Sequence, residues 1–216
     1  AQVTINGAYP DQPAHVHSFV NPCLTDEEIA RGRAAGLAKQ LTAPVRLLYV
    51  GHLGAAKQPV AAIAATAALI ARGVDARLEL AGGGDEQAAL IAAARTAGVA
   101  ERVVFHGAVP RPALAALYDA AHFVVLPSRT EGWPKVLSEG MASGAVPIAS
   151  AVGSIGAGVA LAEPTAPAFP AAIASAIAAY VANPARWRRE ADRAVAGAAQ
   201  FGYTAYLAAV RRLLAL

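Results

Sequence analysis

The sequence predicts an α/β protein built on a parallel sheet with helices on both faces. Short apolar runs alternate with helical stretches at a spacing of roughly 20–30 residues, the rhythm of repeated βαβ units. The runs lack polar alternation, which suits strands covered on both faces. Loops rich in glycine follow the first two runs, at the strand ends where open α/β sheets bind ligands.

Residues 1–25 stand apart from this rhythm. They hold Pro10, Pro13, Pro22, His15 and His17, with one apolar patch at Val3 to Ile5, and read as a linker or arm. Thr25, followed by Asp26, Glu27 and Glu28, is an N-cap with acids in the first turn. It opens a short helix that runs to about Lys39. Residues 1–44 are therefore expected to be a linker, or an arm cut from a larger body, plus this helix, and residues 45–216 the main domain.

Strands centre on Leu48-Tyr49-Val50, Leu78-Glu79-Leu80, Val103-Val104-Phe105, Val124-Val125-Leu126 and Pro147-Ile148-Ala149. Helices fall near 59–72, 86–97, 111–120 and 134–143. After Ser150 comes a glycine-rich loop, Gly153 to Gly158. It resembles a scrambled dinucleotide fingerprint, but no clear helix follows it and no acid stands at the right distance, so it reads as a plain loop. Three further helices are expected, from about Pro170 to Val181, around 184–199, and from Tyr203 to Leu214.

Bulk properties narrow the function classes. The chain has 216 residues, 56% of them hydrophobic, and a mean hydropathy of +0.41. Much of the apolar content is alanine, and no run is long enough to suggest a transmembrane helix. The single Cys23 rules out an internal disulfide and fits a reducing, cytoplasmic setting. Net charge is +3, with much of the excess in Arg186, Arg188, Arg189, Arg193, Arg211 and Arg212. A solvated helix face is one reading of these arginines. A peripheral contact with an anionic inner-membrane face is the other. Nothing points to nucleic acid.

The densest chemistry lies in Ser128 to Ala142. Glu131 and Glu139 stand eight positions apart, with Gly132, Trp133 and Pro134 between them. Pro134 suits the first turn of a helix, which puts Glu131 in a loop after a strand and Glu139 on the helix. The free N–H groups of such a helix start suit an anion. A glycosidase acid–base pair is a further reading of two carboxylates; an ordinary solvated residue is the competing reading for Glu139.

The first crossover loop runs from Gly51 to Pro59 and carries His52 and Lys57 at a helix entrance. It can bring backbone N–H groups and two cations to a diphosphate. It lacks the spacing of a P-loop, and a tight turn with a surface lysine is the alternative. The second loop, Gly82-Gly83-Gly84-Asp85, allows positive φ and close approach of a ligand. Asp85 is also a candidate N-cap for the next helix. The third loop, His106 to Pro110, has backbone groups able to frame a nucleobase. No Asp-x-Asp, His-Glu-x-x-His or cysteine cluster suggests a metal.

Together these loops resemble the donor-binding domain of retaining glycosyltransferases of the GT-B fold, family 4 or group 1. Gly51-His52-Leu53 with Lys57 looks like that family's Gly-Arg-Leu turn with its following lysine. Gly82-Gly83-Gly84 is similar to its Gly-x-Gly turn. Ser128 to Ala142 resembles its signature Ser-x-x-Glu-Gly-aromatic-Pro-x-x-x-x-Glu-Ala-Met-Ala almost residue by residue. Phe201-Gly202-Tyr203 before a last helix is similar to the family's end. The resemblance covers residues 46–150 and implies a Rossmann-like sheet forming the C-terminal half of a GT-B fold.

It also implies roles. Lys57, with Gly51, His52 and Gly83, would bind the diphosphate of a nucleotide sugar. Glu139 would hold the ribose, and Ala108 and Val109 would lie near the base. Glu131 would be the catalytic-site carboxylate at the transferred sugar, with Ser128, Gly132, Trp133 and Pro134 completing the substrate loop. No metal or other cofactor is implied, because lysine and helix N–H groups would stabilise the leaving diphosphate. An N-terminal domain would hold the acceptor. Three departures stand out. His52 replaces the usual arginine, and Gly140 the usual alanine. The family's Gly-Gly-x-x-Glu helix is missing after Ile155, where the chain passes directly to what looks like the next hairpin. A GT-B epimerase or phosphorylase, or a non-catalytic binding module, are the alternatives.

Overall fold

The computed structural model describes residues 3–6, 11–152, 160–161 and 169–214. Strands β1 (Val3–Asn6) and β2 (Val16–Phe19) pair in parallel. Helix α1 (Asp26–Ala38) starts where the sequence places it. The Thr25 hydroxyl accepts a bond from the Glu28 N–H at 3.1 Å, and the Glu28 carboxylate accepts one from the Thr25 N–H at 2.8 Å. Two orphan donors of the first turn are thereby satisfied reciprocally.

Among the described residues the main sheet has six strands: β3 (Val45–Val50), β4 (Ala76–Ala81), β5 (Val103–Gly107), β6 (Phe123–Leu126), β7 (Val146–Ser150) and β8 (Ala160–Leu161). Their order is β5-β4-β3-β6-β7-β8, and every pair is parallel. The connecting helices are α2 (Pro59–Ala71), α3 (Gln87–Thr96), α4 (Arg111–Ala120) and α5 (Lys135–Ala142). Helices α6 (Phe169–Val181), α7 (Pro184–Ala198) and α8 (Tyr203–Leu214) close the chain. The strands build outward from β3 through β4 to β5. The chain then returns to lay β6 on the other side of β3. That reversal puts the switch point between β3 and β6, and a crevice beyond their carboxyl ends.

The strands have two buried faces because successive residues point to opposite sides. Val45, Leu47 and Tyr49 of β3, with Phe123 and Val125 of β6, enter one core with Ile63 and Leu69 of α2 and Ile173 and Ile177 of α6. Leu48, Val50, Val124 and Leu126 enter the other, with Tyr118 of α4 and Leu137 of α5. Each such large side chain contributes about 1.5–3 kcal/mol relative to exposure. Gly140 belongs to this second core. A Cβ there would lie 2.4 Å from the Val124 Cγ2, so alanine would require the Val124 side chain or the helix to shift.

A third cluster joins Cys23, Leu24, Ala142, Ala198 and Phe201. The Phe201 carbonyl accepts bonds from the N–H groups of Cys23 and Leu24 at 2.9 and 3.2 Å. The segment before α1 is thus tied to the junction of α7 and α8.

Some expectations need correction. Asp85 is not the N-cap of α3. The Gln87 N–H bonds the Gly84 carbonyl at 3.3 Å, so a turn intervenes and Glu86 takes the cap position without a side-chain bond. Pro134 is the N-cap of α5 rather than its first residue. Ala160–Leu161 adds a parallel edge strand on β7; the rest of the expected hairpin lies outside the described residues. The late arginines are not simply a solvated face. Arg188 donates to the Gly36 and Lys39 carbonyls at 3.0 and 2.9 Å, and Arg186 lies 4.8 Å from the Tyr180 ring centroid.

Candidate functional site

Four loops meet at the carboxyl ends of the strands, and backbone bonds stitch them together. The Gly51 N–H donates to the Ala81 carbonyl at 3.0 Å, and the Leu53 N–H to Gly83 at 3.0 Å. The Gly82 N–H donates to Gly107 at 2.7 Å, and the Arg129 N–H to Ala56 at 2.8 Å. The loops after β3, β4, β5 and β6 therefore form one surface across the switch point.

The glycines of the second loop divide by role. A Cβ on Gly82, whose φ is +153°, would lie 1.8 Å from the Gly51 carbonyl oxygen. One on Gly84 would lie 2.3 Å from that of Leu53. These two glycines let loops approach each other, not a ligand. Gly83 has nothing within 4 Å of its Cβ direction and faces open space.

The first loop is braced from below. Buried Tyr49 donates its hydroxyl to the His52 carbonyl at 2.7 Å. Burial, with Glu131 and Glu86 nearby, raises its phenol well above the ordinary range, so it stays a donor. His52 itself is exposed. Gln58 holds a left-handed φ of +50° just before Pro59, a conformation uncommon outside glycine and often found at working sites.

Lys57 and Glu131 meet across the switch point. The ammonium lies 2.6 Å from the carboxylate, with the side chains 33% and 10% exposed. The structure thus brings together the basic residue of the first loop and the acid of the fourth. Gly132 beside them is exposed with open space at its Cβ.

Glu139 is not a solvated helix residue. Its carboxylate accepts a bond from the Tyr118 hydroxyl at 2.7 Å and lies 3.8 Å from the Arg111 guanidinium. Burial, reinforced by Glu139, raises the Tyr118 phenol far above its ordinary value. Arg111 in turn grips Glu28 at 3.3 and 3.1 Å and donates to the Cys23 carbonyl. A cavity of about 320 Å³ opens beside them, lined among others by Leu24, Glu28, Arg111, Leu114, Tyr118 and Glu139.

Other candidates sit differently. Ser128 is fully buried, and its hydroxyl has no hydrogen-bond partner. The Trp133 ring stacks on Phe201, and its indole N–H donates to the Ser138 hydroxyl at 2.7 Å. Val109 packs on the second core. The Gly153–Gly158 loop, and with it the missing Gly-Gly-x-x-Glu helix, lies outside the described residues. Tyr49, Tyr118 and Arg111 are participants that the sequence did not single out. Among the described residues no three His, Cys, Asp or Glu side chains form a metal-binding group. No described helix is long and apolar enough to cross a membrane.

Topology and loop cluster together define one half of a GT-B fold, the architecture of a large class of glycosyltransferases. Sucrose-phosphate synthase from Thermosynechococcus elongatus superimposes with a TM-score of 0.68 at 26% identity, over 92% of this chain and 52% of that one. HepE from Anabaena, solved with UDP and glucose, gives 0.69 at 21% identity, over 93% and 57%. The chain belongs to the family glycosyl transferases group 1, whose model matches residues 38–196. A D-inositol 3-phosphate glycosyltransferase of Catenulispora acidiphila is 32% identical over 93% of this chain and 50% of its own length. Glycogen synthase of Mycobacterium tuberculosis is 34% identical over 71% of this chain and 38% of its own. The chain spans about half the length of the curated relatives it matches.

Proposed function

We propose that this chain is the donor-binding part of a retaining glycosyltransferase, holding a nucleotide-diphosphate sugar without a metal ion while a separate N-terminal domain holds the acceptor. The observation that carries this reading is the 2.6 Å contact between Lys57 and Glu131, which puts a cation and a hydrogen-bond-accepting carboxylate side by side at the switch point. Lys57, the half-buried backbone at Gly83 and the exposed backbone at Gly132 would take the diphosphate. Its leaving charge would be stabilised by the ammonium and by loop N–H groups. Glu139, fixed by Tyr118, would accept bonds from the ribose hydroxyls. Glu131 would accept bonds from the transferred sugar.

Calorimetry with UDP, GDP and ADP, each in EDTA, tests the reading. Binding of at least one nucleotide without a divalent ion is expected. No heat with any of the three removes it.

A further inference from the structure

We propose that Glu131 stands in for the diphosphate on Lys57, and that this exchange makes the site prefer a nucleotide sugar over free nucleoside diphosphate. The proposal rests on the nucleotide-sugar reading above and adds a specificity device to it.

The geometry fixes the competition. Lys57 and Glu131 form a charge-assisted contact at 2.6 Å. The bond from Arg129 to Ala56 holds their loops together at 2.8 Å, so the pair can part by side-chain rotation alone. A diphosphate that reaches Lys57 brings further negative charge to the same ammonium. Two anions on one cation repel each other, so Glu131 must turn away.

The cost of turning away depends on what arrives. Glu131 is only 10% exposed, and a carboxylate shielded from water loses much when left without a donor. A sugar on the diphosphate brings hydroxyl donors into the neighbourhood of that carboxylate. A free nucleoside diphosphate brings none. The donor substrate therefore compensates Glu131 for the loss of Lys57, and the product does not. Once the sugar has left, Glu131 returns to Lys57 and lowers the affinity for the diphosphate that remains.

The test is calorimetry of inorganic diphosphate, UDP, GDP and ADP with the wild type, Glu131→Gln, Glu131→Ala, Lys57→Met and the Lys57→Met/Glu131→Gln pair. Glu131→Gln keeps the side chain's size and removes its charge. It is expected to tighten inorganic diphosphate and the preferred nucleoside diphosphate on the order of tenfold. Glu131→Ala repeats the result without an amide that re-bonds Lys57. Adding Glu131→Gln to Lys57→Met should give a clearly smaller gain than in the wild type, because with the cation in dispute gone only the direct repulsion between Glu131 and the diphosphate is relieved. Equal or weaker binding by both Glu131 variants, with unchanged melting curves, overturns the exchange. Tighter inorganic diphosphate in the Glu131 variants, with no extra affinity for any nucleoside, supports the exchange and sinks the nucleotide-sugar reading instead.

Discussion

Trp133 lies face to face with Phe201, ring centroids 4.8 Å apart and planes 16° from parallel. The aromatic residue of the Glu131–Glu139 segment is thus anchored on the junction of α7 and α8. The Phe201 carbonyl also accepts the backbone bonds of Cys23 and Leu24, so three distant parts of the chain meet at one residue. Replacing it should loosen the loop that carries Glu131. Phe201→Leu is expected to cost about 1–2 kcal/mol, from lost ring contact and imperfect filling. Urea unfolding followed by tryptophan fluorescence measures this. An unchanged midpoint would mean the stack adds nothing.

The second loop gives a contrast between adjacent glycines. Gly82→Ala forces a Cβ onto the Gly51 carbonyl at a positive φ and should destabilise the protein by more than 1 kcal/mol. Gly83→Ala meets open space and should leave the melting temperature alone. If Gly83 faces the diphosphate, Gly83→Val should weaken nucleotide binding with the same intact fold. Melting and titration of the three variants separate the two roles. Equal melting temperatures for Gly82→Ala and Gly83→Ala would contradict the loop packing.

Glu139 and its support are expected to act on the nucleotide rather than the sugar. Glu139→Ala should weaken nucleoside diphosphate binding by on the order of 1.5–3 kcal/mol, the worth of a charge-assisted bond. Tyr118→Phe removes only the 2.7 Å bond that fixes the carboxylate and should cost about 1 kcal/mol of binding. Equal losses for Glu139→Ala and Glu131→Ala with free nucleoside diphosphate would merge the two roles proposed for these carboxylates.

His122 makes stability depend on pH. It is buried between Arg46, whose N–H donates to its Nδ1 at 3.0 Å, and the Gln40 carbonyl, 2.9 Å from its Nε2. This pairing requires the neutral ring with its proton on Nε2. Burial lowers the imidazole from 6.5 to about 4. Between those values the unfolded chain binds a proton that the native state lacks. Stability is therefore full above about pH 6.5 and falls as pH drops toward 4, by on the order of 2–3 kcal/mol. Urea midpoints at pH 7 and 5 should differ in the wild type and differ less in His122→Asn. The same loss in both would assign the effect to another group.

Much of the sheet was legible because its strands are short and apolar between turn signals, as at Leu47–Val50 and Phe123–Leu126. The capping box at Thr25 and Glu28 was legible because both partners lie within one turn. Lys57 and Glu131 were found separately, by loop position; their contact joins loops after strands that are neighbours only in space. Arg111 escaped notice because Glu28, its main partner, is 83 positions away and no local spacing marks it. Tyr118 escaped because a tyrosine on an apolar helix face looks like ordinary core. Gly82 and Gly84 were seen but misread, since a glycine that admits a loop has the same letter as one that admits a ligand.

The isolated chain is expected to bind a nucleotide sugar and transfer nothing. It spans about half the length of its curated relatives, and the proposed acceptor domain belongs to the other half. In the structure the face at the carboxyl ends of β4 and β6 has open space at the Cβ directions of Gly83 and Gly132. Transfer needs an acceptor hydroxyl held in line and water kept out, and positioning of that kind supplies several kcal/mol of a barrier. One loop surface supplies neither. Incubating the 216-residue chain with nucleotide sugars and a panel of sugar and polyol acceptors should give no glycoside above the uncatalysed rate. Fusing it to the N-terminal half of a close relative should raise turnover and tighten donor binding together, because the same closure shields both. Transfer by the isolated chain at ordinary enzymatic rates would place every catalytic group within these residues and would end the two-domain reading.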